Sequence, residues 1–413
     1  MEPKIRFKGF EGEWKKVKFL EIFEFLKNNS LSRAELSSKG DFINIHYGDI
    51  LIKYGDLVNI QNEELTYIRD CRIGQTLYKM CSLQNGDIII ADAAEDYSVG
   101  KCSEIVNIGN NKVVSGLHTI PCRPLITFAQ GYLGHYINSN SYHNQLLPLI
   151  QGSKISSISK KALSQTSVFV PSYEEQQTIA SYFRILDAKL QAYAKKVESL
   201  KKLKSASLVA MFPQNGESMP KVRFKGFEGE WIIKSFKELY KRSSIKNDLT
   251  YDSSKIISVA NMYFKEDNMN TDEAYLLTYN VMKLGDIAFE GNKSKSFAHG
   301  RFVENSIGNG IVSHVFVVFS PLNEDYDINF WKYYINNEQV MGSKLVRCTK
   351  SSTMMTDLVV DDFLKETILV PSLEEQQEVG RYFATLDRKI ALETARLEKL
   401  KQIKLACLDK MFV

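Results

Sequence analysis

One stretch of this chain occurs twice, and both copies have the pattern of a long helix. Residues 170–214 read VPSYEEQQTIASYFRILDAKLQAYAKKVESLKKLKSASLVAMFPQ, and residues 370–413 read VPSLEEQQEVGRYFATLDRKIALETARLEKLKQIKLACLDKMFV. Val170 aligns with Val370 and Met211 with Met411 without a gap. Ser172 and Ser372 are N-cap candidates, and Glu175 and Glu375 stand at the capping-box spacing. The preceding Pro171 and Pro371 hold the incoming chain extended. Apolar residues then recur every three or four positions: Phe183, Leu186, Leu190 and Leu200 in the first copy, Phe383, Leu386, Ile390 and Leu400 in the second. This is a heptad seam, predicting two helices of roughly 60 Å each at 1.5 Å per residue. Two helices with one apolar stripe apiece are expected to pair along those stripes.

A second repeat precedes the first. PKIRFKGFEGEW at 3–14 recurs at 220–231 with only Ile5 replaced, by Val222. The chain is therefore a tandem duplication of an opening motif, a long variable region and a long helix. The variable regions keep a common skeleton. LQNGDIIIADA (83–93) corresponds to MKLGDIAFEGN (282–292), a Gly-Asp turn feeding an apolar strand. VVSGLHTIPCRP (113–124) corresponds to GIVSHVFVVFSP (310–321), again strand-like. The segments 131–146 and 330–345 have the pattern of short helices, and 151–163 and 349–364 that of polar loops. Strands and helices mix without βαβ alternation, so each variable region is expected to be an α+β domain. The expected boundaries are a first domain at 1–169, a central helix and linker at 170–214, a second domain at 215–369 and a C-terminal helix at 370–413.

Composition narrows the class of function. With 413 residues, 44% hydrophobic and 25% charged, the chain has the make-up of a soluble protein of two or three domains. It contains no apolar run of membrane-spanning length and no signal-like apolar core near residue 1, so a cytoplasmic location without membrane association is expected. Six cysteines without a C-x-x-C pair argue against a zinc site or a disulfide framework. The net charge of +4 permits a nucleic-acid partner without requiring one.

Catalytic motifs fail on inspection. The glycines of Phe7-Lys8-Gly9-Phe10-Glu11-Gly12 lack the preceding apolar strand that a cofactor loop needs. Val170-Pro171-Ser172-Tyr173 lacks the Asn and second Pro of an adenine-methyltransferase signature, and its copy has Leu373 for the Tyr. Asp187-x-Lys189 and Asp387-x-Lys389 sit in the middle of helices and read as solvated faces. No His-rich ligand motif or P-loop is present, so no catalytic residue and no metal ligand is assigned. Polar loops offer a binding chemistry instead. Tyr97, Lys101, Ser153 and Lys154 in the first variable region, and Lys293, Lys295, Arg301, Lys350 and Ser351 in the second, are residue types that contact phosphates and base edges.

Two variable domains, each ending in a V-P-x-x-E-E-Q-Q helix that terminates in Met-Phe, together with the duplicated KGFEGEW motif, resemble the specificity subunit of a type I restriction–modification system. The resemblance covers the whole chain. It implies two pseudo-symmetric α+β target recognition domains joined by two long antiparallel coiled-coil helices. Each domain would read one half of a bipartite site in double-stranded DNA, while the helices set the spacing and dock two modification (methyltransferase) subunits. S-adenosylmethionine, ATP and Mg²⁺ would then belong to the modification and restriction subunits, with no cofactor in this chain. The alternatives are a coiled-coil scaffold without a DNA role and a chain that itself methylates or cuts DNA.

Overall fold

A strand pair brackets each variable region. Lys15–Lys18 runs antiparallel to Ser167–Val170, with Lys15 opposite Val170, and Ile232–Ser235 runs antiparallel to Thr367–Val370 in the same register. The chain thus leaves the frame immediately after the opening motif and returns beside it just before the long helix. The computed structural model describes residues 1–61, 63–152, 154–214, 216–266, 272–322, 325–351 and 355–413. Two compact units result: Met1–Ala194 with Ala395–Val413, and Lys195–Thr394. Each is an α+β body, as the mixed pattern of strands and short helices requires. Among the described residues no helix is long and apolar enough to cross a membrane.

In the first unit a five-stranded sheet has the order Phe23–Phe25, Thr119–Pro124, Ile88–Ala91, Cys102–Val106, Leu57–Asn59. The last strand pairs parallel to its neighbour, and the other pairings are antiparallel. The expected Gly-Asp turns are present: Gly86 and Gly285 take φ of 88° and 85°, which glycine adopts without steric penalty. Asp87 and Asp286 then close their turns by accepting from the backbone N–H of Gln84 and Lys283, each at 2.7 Å. The segment predicted as one short helix at 131–146 is two, Tyr132–Ile137 and Asn140–Leu146. The second unit keeps a four-stranded version of the sheet: Tyr240–Ser243, Val317–Pro321, Ile287–Glu290, Arg301–Glu304.

The long helices run Tyr173–Ala210 and Leu373–Lys410, 38 residues each. Within the first unit Tyr182 meets Cys407 and Asp187 meets Lys404. Within the second, Lys196 meets Glu393, Lys204 meets Asp387 and Ser207 meets Tyr382. In both units one number rises as the other falls, so the paired segments are antiparallel, as expected. The seam is less uniform than its heptad spacing predicts. Phe183 and Phe383 are fully buried, but they belong to the aromatic cores of the units, where Phe183 stacks on Phe412 at 5.7 Å and Phe383 on Phe212 at 5.6 Å. Leu186 and Leu386 are buried, whereas Leu190, Leu200, Ile390 and Leu400 are only half-buried. Toward the middle of the helices the contact is partly polar, with Glu393 buried against Lys196 at 2.8 Å.

Candidate nucleic-acid interface

The frame that carries the site rests on one interaction made twice. Ser172 and Ser372 cap their helices through the N–H of Glu175 and Glu375, at 3.2 and 3.3 Å. The glutamate side chains do not fold back to complete the expected capping box. Glu175 instead accepts two bonds from Arg6, Nε to Oε1 and Nη2 to Oε2, both 2.8 Å, and Glu375 accepts the same pair from Arg223 at 2.6 and 2.7 Å. Hydrogen bonding to the buried carboxylate raises the pKa of both guanidinium groups. The spare guanidinium nitrogens hold the opening loop by its carbonyls, Arg6 on Gly12 and Arg223 on Gly229. Gln176 and Gln376 are buried next to them. Each donates to a proline carbonyl, Pro171 or Pro371, and accepts a backbone N–H from its variable region, Ala129 or Asp327. The E-E-Q-Q sequence therefore ties the opening motif, the helix and the recognition domain together.

Of the Asp-x-Lys positions read as solvated helix faces, Lys189 and Lys389 are exposed, whereas Asp187 and Asp387 form structural ion pairs. Asp187, His135 and Asp56 form the arrangement of acid and imidazole that could hold a metal. An ammonium occupies its centre, however: Lys404 Nζ lies 2.6 Å from Asp56 and 2.5 Å from Asp187. Burial alone would lower the Lys404 pKa, but Asp56 and Asp187 outweigh it and hold the group above its ordinary value. The second unit has a simpler version, with Asp387 between Lys204 and the Tyr333 hydroxyl.

The polar loops predicted to bind DNA are brought together in pairs. In the first unit Ala93–Ala94 forms a short antiparallel ladder with Ser156–Ser157, which sets the loop carrying Tyr97 beside the loop carrying Lys154. Tyr97 is 76% exposed and Lys154 is exposed. Ser153 lies outside the described residues. In the second unit Asn292 bridges Met355, and Lys293 Nζ donates to Ser351 Oγ at 2.5 Å. Lys295 and Lys350 are exposed on the same pair of loops. Two of the predicted contact residues are committed inward. Lys101 Nζ donates to the carbonyls of Leu51 and Tyr54, both at 3.1 Å, and its burial lowers its pKa. Its counterpart Arg301 donates to Glu290 at 2.6 Å and to the Ala260 carbonyl at 2.7 Å. Their charges brace the fold rather than face solvent.

Sequence reasoning missed His118 and Tyr47. Their rings meet edge to face at 5.2 Å, and His118 Nδ1 lies 3.1 Å from Asp92, whose carboxyl is pushed up by burial. His118 sits at the end of the same sheet, its backbone carbonyl bonded to the Asp92 N–H, and Asp92 in turn accepts from Ile158 beside the Lys154 loop. The segment read only as a strand, but the Gly116-Leu117-His118 turn inside it was the available signal. The resulting surface offers lysines, hydroxyls and exposed rings, which suit phosphates and base edges.

Two stretches of the chain, residues 11–202 and 229–402, match the family model described as type I restriction modification DNA specificity domain. Curated proteins give no match. Among solved structures, the chain is similar to the type I restriction-modification system S subunit from M. genitalium, at 14% identity over 100% of this chain and 99% of that one, with a TM-score of 0.58. It is also similar to a chain from a structural study of complex assembly and conformational transition of the type I R-M system, at 14% identity over 97% and 98% of the two chains and a TM-score of 0.53. At these identities the structures speak for the fold. The two family matches take in most of the sequence, and the chain therefore belongs to the type I restriction–modification DNA specificity family, as a DNA sequence-specificity subunit carrying two such domains.

Proposed function

We propose that each unit reads one half of a bipartite site in double-stranded DNA and that the two half-sites are chosen independently. The observation that carries this reading is the pairing of the polar loops. In each variable region two loops far apart in sequence are pinned side by side by the Ala94–Ser156 and Asn292–Met355 bridges, and they present exposed Lys154 on one side and Lys295 and Lys350 on the other. The skeleton under the loops is shared, and the loop side chains are not. Shared backbone with different polar groups is what two readers of different base sequences need.

The paired helices set the distance between the half-sites and dock two methylating subunits. Those subunits bring S-adenosylmethionine, and restriction subunits bring ATP-driven translocation and Mg²⁺-dependent cleavage. This chain supplies recognition alone and works in the cytoplasm. The experiment is a domain exchange. Residues 15–169 are replaced by the equivalent region of a relative, and methylated sites are mapped in DNA treated with the assembled complex. One half of the recognised sequence should change and the other should remain. A change in both halves would overturn the independence of the two readers.

A further inference from the structure

A third turn joins the two pinned loops in each unit, and the backbone that places it is the same in both. Ile90 stands opposite Ile120, and Phe289 stands opposite Val317. Two residues outward along each antiparallel pair, Asp92 comes opposite His118 and Gly291 opposite Val315. The bond from the Asp92 N–H to the His118 carbonyl bears out the first of these pairs. The Ile158 N–H donates to the Asp92 carbonyl at 2.9 Å, and the Thr356 N–H donates to the Gly291 carbonyl at 2.8 Å. His118 and Val315 therefore stand at one structural position, next to the polar segments 151–163 and 349–364.

On that shared backbone the side chains differ as a set. His118 takes a φ of 53°, a region that glycine enters freely and other residues rarely. A side chain kept in such a conformation points to a function. The ring is half-exposed and held from two directions: Nδ1 lies 3.1 Å from Asp92 Oδ1, and Tyr47 meets the ring edge to face at 5.2 Å. The Thr119 hydroxyl donates to the Gly116 carbonyl at 2.6 Å and braces the turn beneath. A carboxylate can only accept, so Nδ1 carries the hydrogen. In the neutral ring Nε2, turned away from Asp92, then keeps its lone pair.

The second unit has neither the ring nor its holder. Val315 is 59% exposed and presents two methyl groups. Gly291 stands in place of Asp92, and a Cβ there would fall 2.2 Å from the Thr356 carbonyl. No carboxylate can be mounted opposite Val315 on this backbone.

We propose that this turn is a base-reading position in both units: His118 accepts a hydrogen bond from an exocyclic amino group in the major groove, and Val315 packs on the methyl group of a thymine. The assignment rests on the reading that each unit recognises one half-site. In the major groove the donors are adenine N6 and cytosine N4, and the methyl group belongs to thymine. A fixed acceptor and an apolar tip therefore select different base pairs. Bases are the matching ligand because neither a lone pair nor a methyl group attracts a phosphate oxygen. The exposed Lys154, Lys295 and Lys350 supply that attraction from the adjoining segments.

The test maps methylation by the complete complex, assembled with its methylating subunits, on a library of sites. Glycine suits the backbone of residue 118, so His118→Gly removes the ring without straining the turn. It should reduce discrimination on the order of tenfold at one base pair of one half-site and leave the other half-site unchanged. Purine in place of adenine, or 2-pyrimidinone in place of cytosine, removes the amino group from the DNA instead. One of the two should reproduce the loss with the unaltered chain and leave His118→Gly indifferent, which identifies the base. Val315→Ala should relax one base pair of the other half-site, and uracil in place of thymine should have the same effect on the unaltered chain. Loss spread evenly over all base pairs, or a His118 position that maps to guanine or thymine, would overturn the proposal. An unchanged preference in either variant would overturn the role of that residue; half-site reading itself is decided separately, by the exchange of residues 15–169.

Discussion

Removing Arg6 should destabilise the first unit far more than its place near the start of the chain suggests. Its guanidinium makes two 2.8 Å bonds to Glu175, whose side chain is 2% exposed, and one 2.7 Å bond to the Gly12 carbonyl. Arg6→Met keeps the apolar stem and removes the charge, leaving the Glu175 carboxylate buried and unpaired. Breaking a buried pair in this way costs about 3–5 kcal/mol, a factor of more than ~100 in the folded-to-unfolded ratio. The double change Arg6→Met with Glu175→Leu removes the buried charge as well. It should recover most of that loss, since replacing a whole buried pair by apolar side chains is often neutral. Trp14 is the single tryptophan of the first unit, 3% exposed and packed against Tyr132 and Phe412. In a Trp231→Phe, Trp331→Phe background its fluorescence during urea unfolding therefore reports this unit. If Arg6→Met and the double variant lose the same amount, or if the single change costs less than about 1 kcal/mol, the pair is an ordinary surface salt bridge and the clamp argument fails.

Lys154→Ala and Lys350→Ala should each weaken DNA binding and, if the lost contact is to phosphate, reduce the slope of log affinity against log salt by about one; unchanged binding and slope in both would remove these lysines from the interface. Four residues inserted near Val197 and four near Leu397 lengthen each helix by about 6 Å. The complex should then favour the same half-sites separated by one or two more base pairs, at roughly 3.4 Å per step, and methylation mapping on a library of spacers would show an unchanged optimum if the helices only dock partners. His46 is buried and its Nδ1 accepts from the Gly48 N–H at 3.1 Å, so the folded chain favours the neutral ring, and burial lowers its pKa to about 4. The unfolded chain binds the proton from about pH 6.5 downward, so this contribution to stability is complete above that pH and is lost as pH falls toward 4; an NMR titration placing His46 at its ordinary value would refute it.

The frame was legible in the sequence because duplication displays it directly. The two long helices, the Gly-Asp turns and the α+β character of the variable regions follow from periodicity and repeat order, and the antiparallel pairing from the resemblance. What the sequence hid is where long side chains end. Arg6 and Glu175 both lay in repeated motifs, yet nothing in spacing connects residues so far apart, and a capping box offered Glu175 a nearer partner. Lys101 and Arg301 lie in polar, glycine-bounded loops, as a DNA-contacting residue would. Only the fold shows that the carbonyls of Leu51, Tyr54 and Ala260 come within reach. Asp187 looked solvated because it is a charged residue in the middle of a helix; its partners are His135 and Lys404, neither near it in sequence.

The same contacts explain how a chain can keep one frame around two different readers. Lys15 stands opposite Val170 and Ile232 opposite Val370, so each variable region begins and ends at one point of the frame. Arg6 with Glu175, and Arg223 with Glu375, lock the opening motif to the helix without using any residue of the variable region. The frame holds that region through backbone and side chains alike: Gln176 accepts the Ala129 N–H and Gln376 the Asp327 N–H, while Asp187 meets His135, Lys404 meets Asp56 and Asp387 meets the Tyr333 hydroxyl. A backbone donor is available whatever side chain stands at that position. Packing adds a second requirement, for aromatic bulk: Trp14 needs Tyr132, and Trp231 needs Phe330 and Tyr334. A replacement segment with strand-forming ends, a backbone N–H at the Gln176 position, partners for Asp187 and Lys404, and a large ring under Trp14 should therefore fold on this frame with its loops unrestricted. A segment without the ring would leave a cavity beside Trp14, at a cost of about 3–5 kcal/mol for a lost aromatic side chain. That difference, measured by Trp14 fluorescence during unfolding of two otherwise matched exchanges, separates the demands of the frame from those of DNA reading. If both exchanges fold equally well, the aromatic contact is dispensable and the polar ties hold the reader without it.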